Sequence, residues 1–380
     1  MKNLEAAIVH DYLNAYGGAE SVVNAIWELF PGAPIYTALW DKKAFDGTNA
    51  FKGADVRVPK WARMPFVSKF YKYLVPLYPL FFENLDLSGF DLVISSSANF
   101  AKGVRTSKNQ VHISYIHTPP RFLYGYPTET GKRDLWYCKI PLKILDFFLR
   151  RWDFKAAQRP NYLICNSVEV KNRIKKFYGR DAVIVPPFLS IDPKYEKTAP
   201  KKGDYYLALG RLSLFKNFDK IIPACAKVGR SLKVAGVGRE FDNLRKLAKS
   251  LRGDTEMLGF VSEEEKVSLY KGCRAFINIA SDEDFGMTPL EAMHFGKPCI
   301  LLRSGGFLDY AEDGYNSILI DSPLAESLEA GIKRFESLES KVNWAKNCKE
   351  TAAGYTKERF QTEFMEIVRD KLGSRLEGRG

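Results

Sequence analysis

The stretch AFINIASDEDFGMTPLEAMHFGKPCILL, residues 275–302, decides the fold. It opens on a short apolar run at 275–279 that reads as a strand. It then crosses a polar loop, enters a helical pattern at 289–295 and returns to an apolar run at 299–302. Short apolar runs separated by helical stretches mark parallel strands covered by helices. The rhythm extends outward in both directions. In the second half, further strands are predicted at 205–209, 232–235, 256–258 and 317–320, with helices near 217–228, 240–250, 263–270 and 324–335. In the first half, strands are predicted at 6–10, 34–39, 92–95, 112–116, 162–165 and 182–185, with helices such as 19–29 and 168–178. Two such series predict an α/β protein with two doubly wound, Rossmann-like domains, and if these face each other the site is the cleft between them. The break falls in PPFLSIDP, 186–193, whose prolines disfavour helix and suit a linker. No internal repeat or low-complexity tract interrupts the pattern.

Composition agrees with this reading. At 380 residues the chain exceeds one ordinary domain, and its 46% apolar content suffices for real cores. The net charge of +12 points to anionic partners: nucleic acid, an acidic membrane surface or phosphorylated substrates. No recognisable nucleic-acid module accompanies the charge, so nucleic acid is not expected as a partner. The six cysteines form no C-x-x-C and no zinc-like spacing with histidine. They read as small buried hydrophobes in a reducing compartment. The first residues lead straight into a strand without a signal-peptide pattern, and no apolar run approaches the roughly 20 residues of a membrane span. A cytoplasmic protein is expected.

Open α/β sheets bind ligands beyond the carboxyl ends of their strands, so functional residues are sought there. After the first strand, Gly17-Gly18 opens a helix, and a phosphate can approach free N–H groups at such an end. His117 follows another strand in YIHTPPR, where it serves equally well as a structural residue. Arg211 and Lys216 follow strand 205–209 at a helix start, a place where cations are slightly unfavourable. They suit the charge that grows on a diphosphate leaving group. Gly236-Val237-Gly238 permits a close backbone approach to a ligand.

The quoted stretch holds two competing motifs. Asp282 and Asp284 form D-x-D, a pair of hard oxygen ligands for Mg²⁺ or Mn²⁺. Glu283 and Glu291 form E-x7-E, two carboxylates suited to hydroxyl-rich groups such as a sugar and a ribose. Thr288, Pro289 and Glu291 also fit an N-cap, first helical position and capping-box partner, a structural role for Glu291. No further carboxylate cluster at a strand end completes a metal shell.

Together, HDYLNAYGGAE, FDLVISSSANFAKGV, YIHTPPR, RPNYLICNSVEVKNRIKKFYGRDAVIVPP, LALGRLSLFKN, SDEDFGMTPLEAMHFGKPCI and GGFLDYAEDGYNSILI resemble family 4 glycosyltransferases of the GT-B fold. The resemblance spans nearly the whole chain and looks most like the GDP-mannose-dependent mannosyltransferases of O-antigen and exopolysaccharide assembly. It implies domains at 1–188 and 189–355, with 356–380 crossing back to the first. It implies that Gly18 meets the donor phosphates, Arg211 and Lys216 hold the diphosphate, Glu283 binds the donor sugar and Glu291 the ribose. The amides of Phe285, Gly286, Met287 and Thr288 would face the sugar, and His117 would lie by the reacting centre. Phe260 and Val261 are candidates for the base. The family retains anomeric configuration and needs no metal, so no cofactor is expected, and E-x7-E is favoured over D-x-D. Two positions depart from the family: Asp309 where Glu is usual, and Ser317 where Gly is usual. Both put details of the donor pocket in doubt.

The acceptor is expected to be a glycan or a lipid-linked oligosaccharide. Segment 56–82 interleaves Arg57, Lys60, Arg63, Lys69 and Lys72 with many aromatics, and 139–155 is a second basic, apolar segment. Both are candidates for an anionic membrane surface on the inner face of the plasma membrane; core helices with solvated lysines are the competing reading. A UDP-sugar donor, or a nucleotide- or glycan-binding protein without turnover, are the rival functions.

Overall fold

The computed structural model describes residues 4–63, 71–127, 136–199 and 203–377. The chain forms two compact units. The first comprises 1–126, 130–188 and 357–380; the second comprises 127–129 and 189–356.

In the first unit a seven-stranded, all-parallel sheet has the order β3-β2-β1-β4-β5-β6-β7. Its strands are β1 (Ala6–His10), β2 (Ile35–Thr37), β3 (Val56–Arg57), β4 (Leu92–Ser97), β5 (Val111–Ile116), β6 (Tyr162–Cys165) and β7 (Val183–Ile184). Helices α1 (Gly18–Leu29), α2 (Tyr78–Glu83), α3 (Trp136–Ala157) and α4 (Val168–Tyr178) lie between strands. Side chains of a strand alternate between faces, and β1 serves two cores in this way. Ala6 and Ile8 join one cluster with α1, while Ala7 and Val9 join another with Tyr78 and Phe82 of α2. Capping residues define α4: the Ser167 hydroxyl accepts from the Val170 amide at 3.0 Å, and Gly179 ends the helix at φ +66°.

The second unit has a six-stranded parallel sheet, order β10-β9-β8-β11-β12-β13. Its elements are β8 (Tyr205–Leu209), α5 (Phe218–Lys227), β9 (Ser231–Ala235), α6 (Phe241–Ser250), β10 (Thr255–Gly259), α7 (Glu263–Gly272), β11 (Phe276–Asn278), α8 (Met287–His294), β12 (Cys299–Leu302), β13 (Ser317–Ile320), α9 (Ala325–Leu338) and α10 (Trp344–Ala353). β8 alternates as β1 does, Tyr206 and Ala208 entering one core and Tyr205 and Leu207 the other. The last helix, α11 (Lys357–Glu377), belongs to the first unit. Phe360, Phe364 and Val368, four residues apart, are fully buried in the cluster that holds α1.

Two sequence expectations shift here. The short strand β3 and helix α10 were not anticipated, and β11 is shorter than its predicted run. The aromatic-rich segment 56–82 is divided where it is described: Tyr78 and Phe82 are buried, with Trp61 and Phe81 packed against the same core, while Leu77 and Leu80 are exposed. Residues 64–70, with Phe66, Lys69 and Phe70, lie outside the described residues. In α3, by contrast, Leu145, Leu149 and Trp152 face the core, while Ile140, Ile144, Phe147, Phe148 and Phe154 are exposed. The five cysteines whose side chains are described are free thiols, all buried. Among the described residues no helix is long and apolar enough to cross a membrane.

Candidate functional site

Each sheet changes direction of growth once, between β1 and β4 in the first unit and between β8 and β11 in the second. A crevice opens beyond the strand ends at such a point, and the candidate residues gather at both.

In the first unit, β1 ends at His10 and is followed by Asp11. The Asp11 carboxylate accepts four backbone N–H groups, from Ala98 at 2.7 Å, Asn99 at 2.8 Å, and Phe100 and Ala101 at 2.7 Å each. Asp11 therefore moulds the loop after β4. Beside it, His10 Nδ1 lies 3.1 Å from the Ser96 carbonyl and 3.2 Å from its hydroxyl. The same hydroxyl lies 2.7 Å from His117 Nε2. His10 Nε2 is 3.8 Å from Glu20, in the first turn of α1. Burial pushes the His117 imidazole down to about 3, and His10 adds to the effect. Asn166 donates to the His117 carbonyl at 3.1 Å, fixing the loop. Gly17 precedes α1 in extended conformation and no side chain caps that helix end, so Gly18 starts the helix with an uncapped amide.

In the second unit, β8 runs into Gly210 and the exposed Arg211. The sequence expectation that Gly236 and Gly238 admit a ligand is corrected. A Cβ on Gly236 would sit 1.9 Å from the Gly210 carbonyl oxygen, and one on Gly238 would sit 2.3 Å from that of Leu212. These glycines admit the neighbouring backbone and seat the Arg211 loop.

Lys216 ends a 3₁₀ turn and donates to the Glu283 carboxylate. The expectation had assigned these two residues separately, to a diphosphate and to a sugar; here they neutralise each other. Asn217, at φ +58°, ties the turn down by donating to the Ile279 carbonyl at 2.7 Å and the Ser281 hydroxyl at 3.0 Å. Asn tolerates this left-handed conformation better than most residues.

The Thr288 capping box is also corrected. α8 begins at Met287, its N-cap is Gly286 at φ +89°, and no side chain caps it. The positive φ lets the chain enter the helix before Thr288 is reached. Thr288 accepts instead from Asn278 at 3.3 Å. Phe285 is buried against Tyr310, whose hydroxyl donates to the Gly286 carbonyl at 2.6 Å. The loop carrying Glu283 is clamped by the Gly305-Gly306 turn, whose Gly306 amide donates to the Glu283 carbonyl at 2.9 Å.

Glu291, released from the predicted cap, is held by α7. The Tyr270 hydroxyl donates to Oε2 at 2.9 Å, and Lys266 Nζ lies 3.5 Å from the same oxygen. Burial pulls the Lys266 ammonium down, but Glu291 and Glu263 outweigh it and leave it raised. Oε1 of Glu291 takes no hydrogen bond from the described residues. Beyond β10, a cavity of about 120 Å³ is lined by Leu258, Phe260, Val261, Glu265, Ser268 and Leu269. Phe260 stands 79% exposed at its mouth. Among the described residues no three His, Cys, Asp or Glu side chains gather as a metal set.

Sequence reasoning missed His10, Ser96, Asn217, Lys266 and Tyr270. Only Asn217 left a local signal, an Asn just before a helix; the others depend on which strands and helices are neighbours.

Comparison with known proteins fits this arrangement. Residues 191–353 match the family model described as glycosyl transferases group 1. An uncharacterized glycosyltransferase of Methanocaldococcus jannaschii is 27% identical over 266 residues, 68% of this chain and 69% of that protein. The alpha-1,3/1,6-mannosyltransferase ALG2 of Homo sapiens is 30% identical over 248 residues, 54% of this chain and 59% of that protein. Among solved structures, Anabaena HepE in complex with UDP-glucose superposes with a TM-score of 0.67 at 16% identity, covering 96% of this chain and 99% of that one. That likeness concerns the fold, which is GT-B.

Proposed function

We propose that the chain is a family-4-like glycosyltransferase of the GT-B fold that transfers mannose from GDP-mannose to a glycan or lipid-linked oligosaccharide, with retention of configuration and without a metal ion. The observation that carries this reading is the Lys216–Glu283 pair at the β8/β11 switch point. It stores a phosphate-binding cation and a hydroxyl-binding carboxylate side by side. An arriving donor offers each a better partner: its diphosphate to Lys216 and Arg211, its sugar hydroxyls to Glu283. Glu291 keeps Oε1 open for the ribose, and the cavity beside Phe260 and Val261 suits the base. The amides of Phe285 to Thr288 are assigned to the sugar and that of Gly18 to the phosphates. In the reaction the anomeric carbon–oxygen bond breaks, and its electron pair moves to the phosphate. The acceptor oxygen bonds to the same face, and its proton passes to the leaving phosphate. The mannosyl assignment draws on the ALG2 relatives.

Thermal stabilisation by GDP, GDP-mannose, UDP and UDP-glucose, in EDTA and in Mg²⁺, tests the reading. A ligand at about 100 times its dissociation constant adds roughly 2.7 kcal/mol. Stabilisation by the guanine nucleotides in EDTA is the expected result, with transfer abolished in Glu283→Ala. Response to uridine nucleotides alone would move the donor to a UDP-sugar. Response only with Mg²⁺ would overturn metal independence, and turnover surviving in Glu283→Ala would overturn the site.

A lipid-linked acceptor gives the outer face of α3 a purpose, and we propose that this face rests on anionic lipid at the inner side of the plasma membrane. Its exposed Ile140, Ile144, Phe147 and Phe148 are interleaved with Lys143, Arg150, Arg151 and Lys155. Apolar groups that enter the headgroup region beside cations favour anionic surfaces. Co-sedimentation with phosphatidylglycerol vesicles but not phosphatidylcholine vesicles is expected, and is lost in Phe147→Ser/Phe148→Ser. Equal binding to both vesicles, or none, would refute it.

A further inference from the structure

The hydrogen-bond chain at the end of β1, β4 and β5 has a direction, and the direction decides what His117 can do. The Ser96 carbonyl oxygen, 3.1 Å from His10 Nδ1, can only accept. His10 Nδ1 therefore carries a proton and points it at Ser96. Among the described residues the Ser96 hydroxyl has two neighbours, this donor and His117 Nε2 at 2.7 Å. With a donor on one side, its own proton goes to the other. His117 Nε2 thus accepts, and the neutral ring must carry its proton on Nδ1.

From this geometry we infer that His10, acting through Ser96, is a positioning residue that fixes His117 as its Nδ1–H tautomer, so that it meets the substrate as a hydrogen-bond donor and not as a base. The inference rests on the reading above that His117 lies by the reacting centre. Register supports it: His10 pairs with Ser96 across β1 and β4, and Ser96 pairs with Tyr115 across β4 and β5, two residues before His117. Ser96 is wholly buried, so water does not compete for its hydroxyl. Nδ1 of His117 makes no hydrogen bond to the described residues. A donor there suits an oxygen with lone pairs to spare, a sugar hydroxyl or the phosphate oxygen on which charge grows. Burial agrees, since it keeps the ring neutral across the working pH range. The proton balance of transfer is unaffected: the acceptor proton leaves on the phosphate, and His117 neither takes nor gives one.

The test is a long-range ¹H–¹⁵N correlation spectrum of the full chain labelled at histidine. Wild type is expected to show His117 protonated at Nδ1 and bare at Nε2, unchanged from pH 5.5 to 8. Ser96→Ala should shift the ring toward the Nε2–H tautomer and lower kcat about tenfold, with KM for the donor nearly unchanged. Ser96→Thr, which keeps the hydroxyl, should restore both. A wild-type spectrum with Nε2 protonated, or a tautomer indifferent to Ser96→Ala, would overturn the inference. If the tautomer behaves as expected but His117→Ala transfers sugar at the wild-type rate, the parent reading of His117 falls and the tautomer assignment stands.

Discussion

Substituting Gly306 by Ala asks whether the loop carrying Glu283 is positioned by its glycine seat. A Cβ on Gly306 would lie 2.4 Å from the Asp284 carbonyl oxygen and 2.4 Å from the Phe285 Cα. Both are backbone atoms, so no rotamer change relieves the contact. Reaching ordinary van der Waals distance, 3.4 Å, requires the Glu283–Phe285 backbone to retreat by about 1 Å. A misplacement of that size in a positioned group costs on the order of 10²-fold in rate, or about 2.7 kcal/mol in the barrier. Overpacking costs the fold about 1–3 kcal/mol besides. Transfer kinetics and urea unfolding, measured together, separate the two effects. Gly314→Ala is the control: its φ is +76° but the nearest atom, Arg334 Nη2, is 4.0 Å away. It should lose about 1–2 kcal/mol of stability through the left-handed backbone alone and keep kcat/KM within twofold. The expected result is a Gly306→Ala enzyme that is folded and about a hundredfold slower. If it were no slower than the control at equal stability, the seat would not be what holds Glu283.

Three further outcomes are expected. Asp153→Asn leaves Lys102, only 1% exposed, without the carboxylate 2.5 Å away that also receives the Tyr124 and Tyr178 hydroxyls; it should cost about 3–5 kcal/mol by urea unfolding, and Asp153→Asn/Lys102→Met should recover most of this. A loss under about 1 kcal/mol would mean that water reaches Lys102. Burial holds His112 and His117 at about 3, below the ordinary value of 6.5, so the folded state stays neutral where the unfolded state takes protons. Their contribution is complete above pH 6.5 and fades as pH falls toward 3, about 2 kcal/mol each between pH 7 and 5, which unfolding midpoints at pH 7, 6 and 5 would read and His117→Gln should halve. Tyr270→Phe removes one of the two groups holding Glu291 and should weaken donor affinity about threefold to tenfold by calorimetry with kcat little changed; unaltered affinity would remove Glu291 from the ribose.

The layout of elements was legible because it rests on local periodicity. Strand β8 and β1 show their burial directly as apolar runs, and both sheets follow from the alternation with helices. What stayed hidden was strand order, and most of the site depends on it. Gly236 and Gly238 read as ligand glycines until β9 is known to lie beside β8, where they face the Gly210–Leu212 backbone. Lys216 and Glu283 are 67 residues apart and meet because β8 neighbours β11. The Thr288 cap failed for a different reason. Its local fit was sound, but Gly286 at φ +89° starts the helix earlier, and Glu291 found partners on α7 instead.

The same topological event in each unit assembles groups of opposite electrical character. At β8 and β11 it gathers formal charges, Lys216 with Glu283, on loops held by Asn217, Gly305 and Gly306. At β1, β4 and β5 it gathers a chain of hydroxyl and imidazole groups, buried deeply enough that His117 stays neutral. In the proposed reaction the first would serve the nucleotide diphosphate, whose charges are present before reaction and are matched by charge. A breaking glycosidic bond is better served by the second, since a fixed neutral donor stabilises charge as it develops without first holding the ground state. That division predicts distinct kinetic signatures. Neutralising Lys216 by Met should act chiefly on donor KM, whereas Ser96→Ala should act chiefly on kcat. The opposite pattern would reverse the roles drawn for the two strand ends.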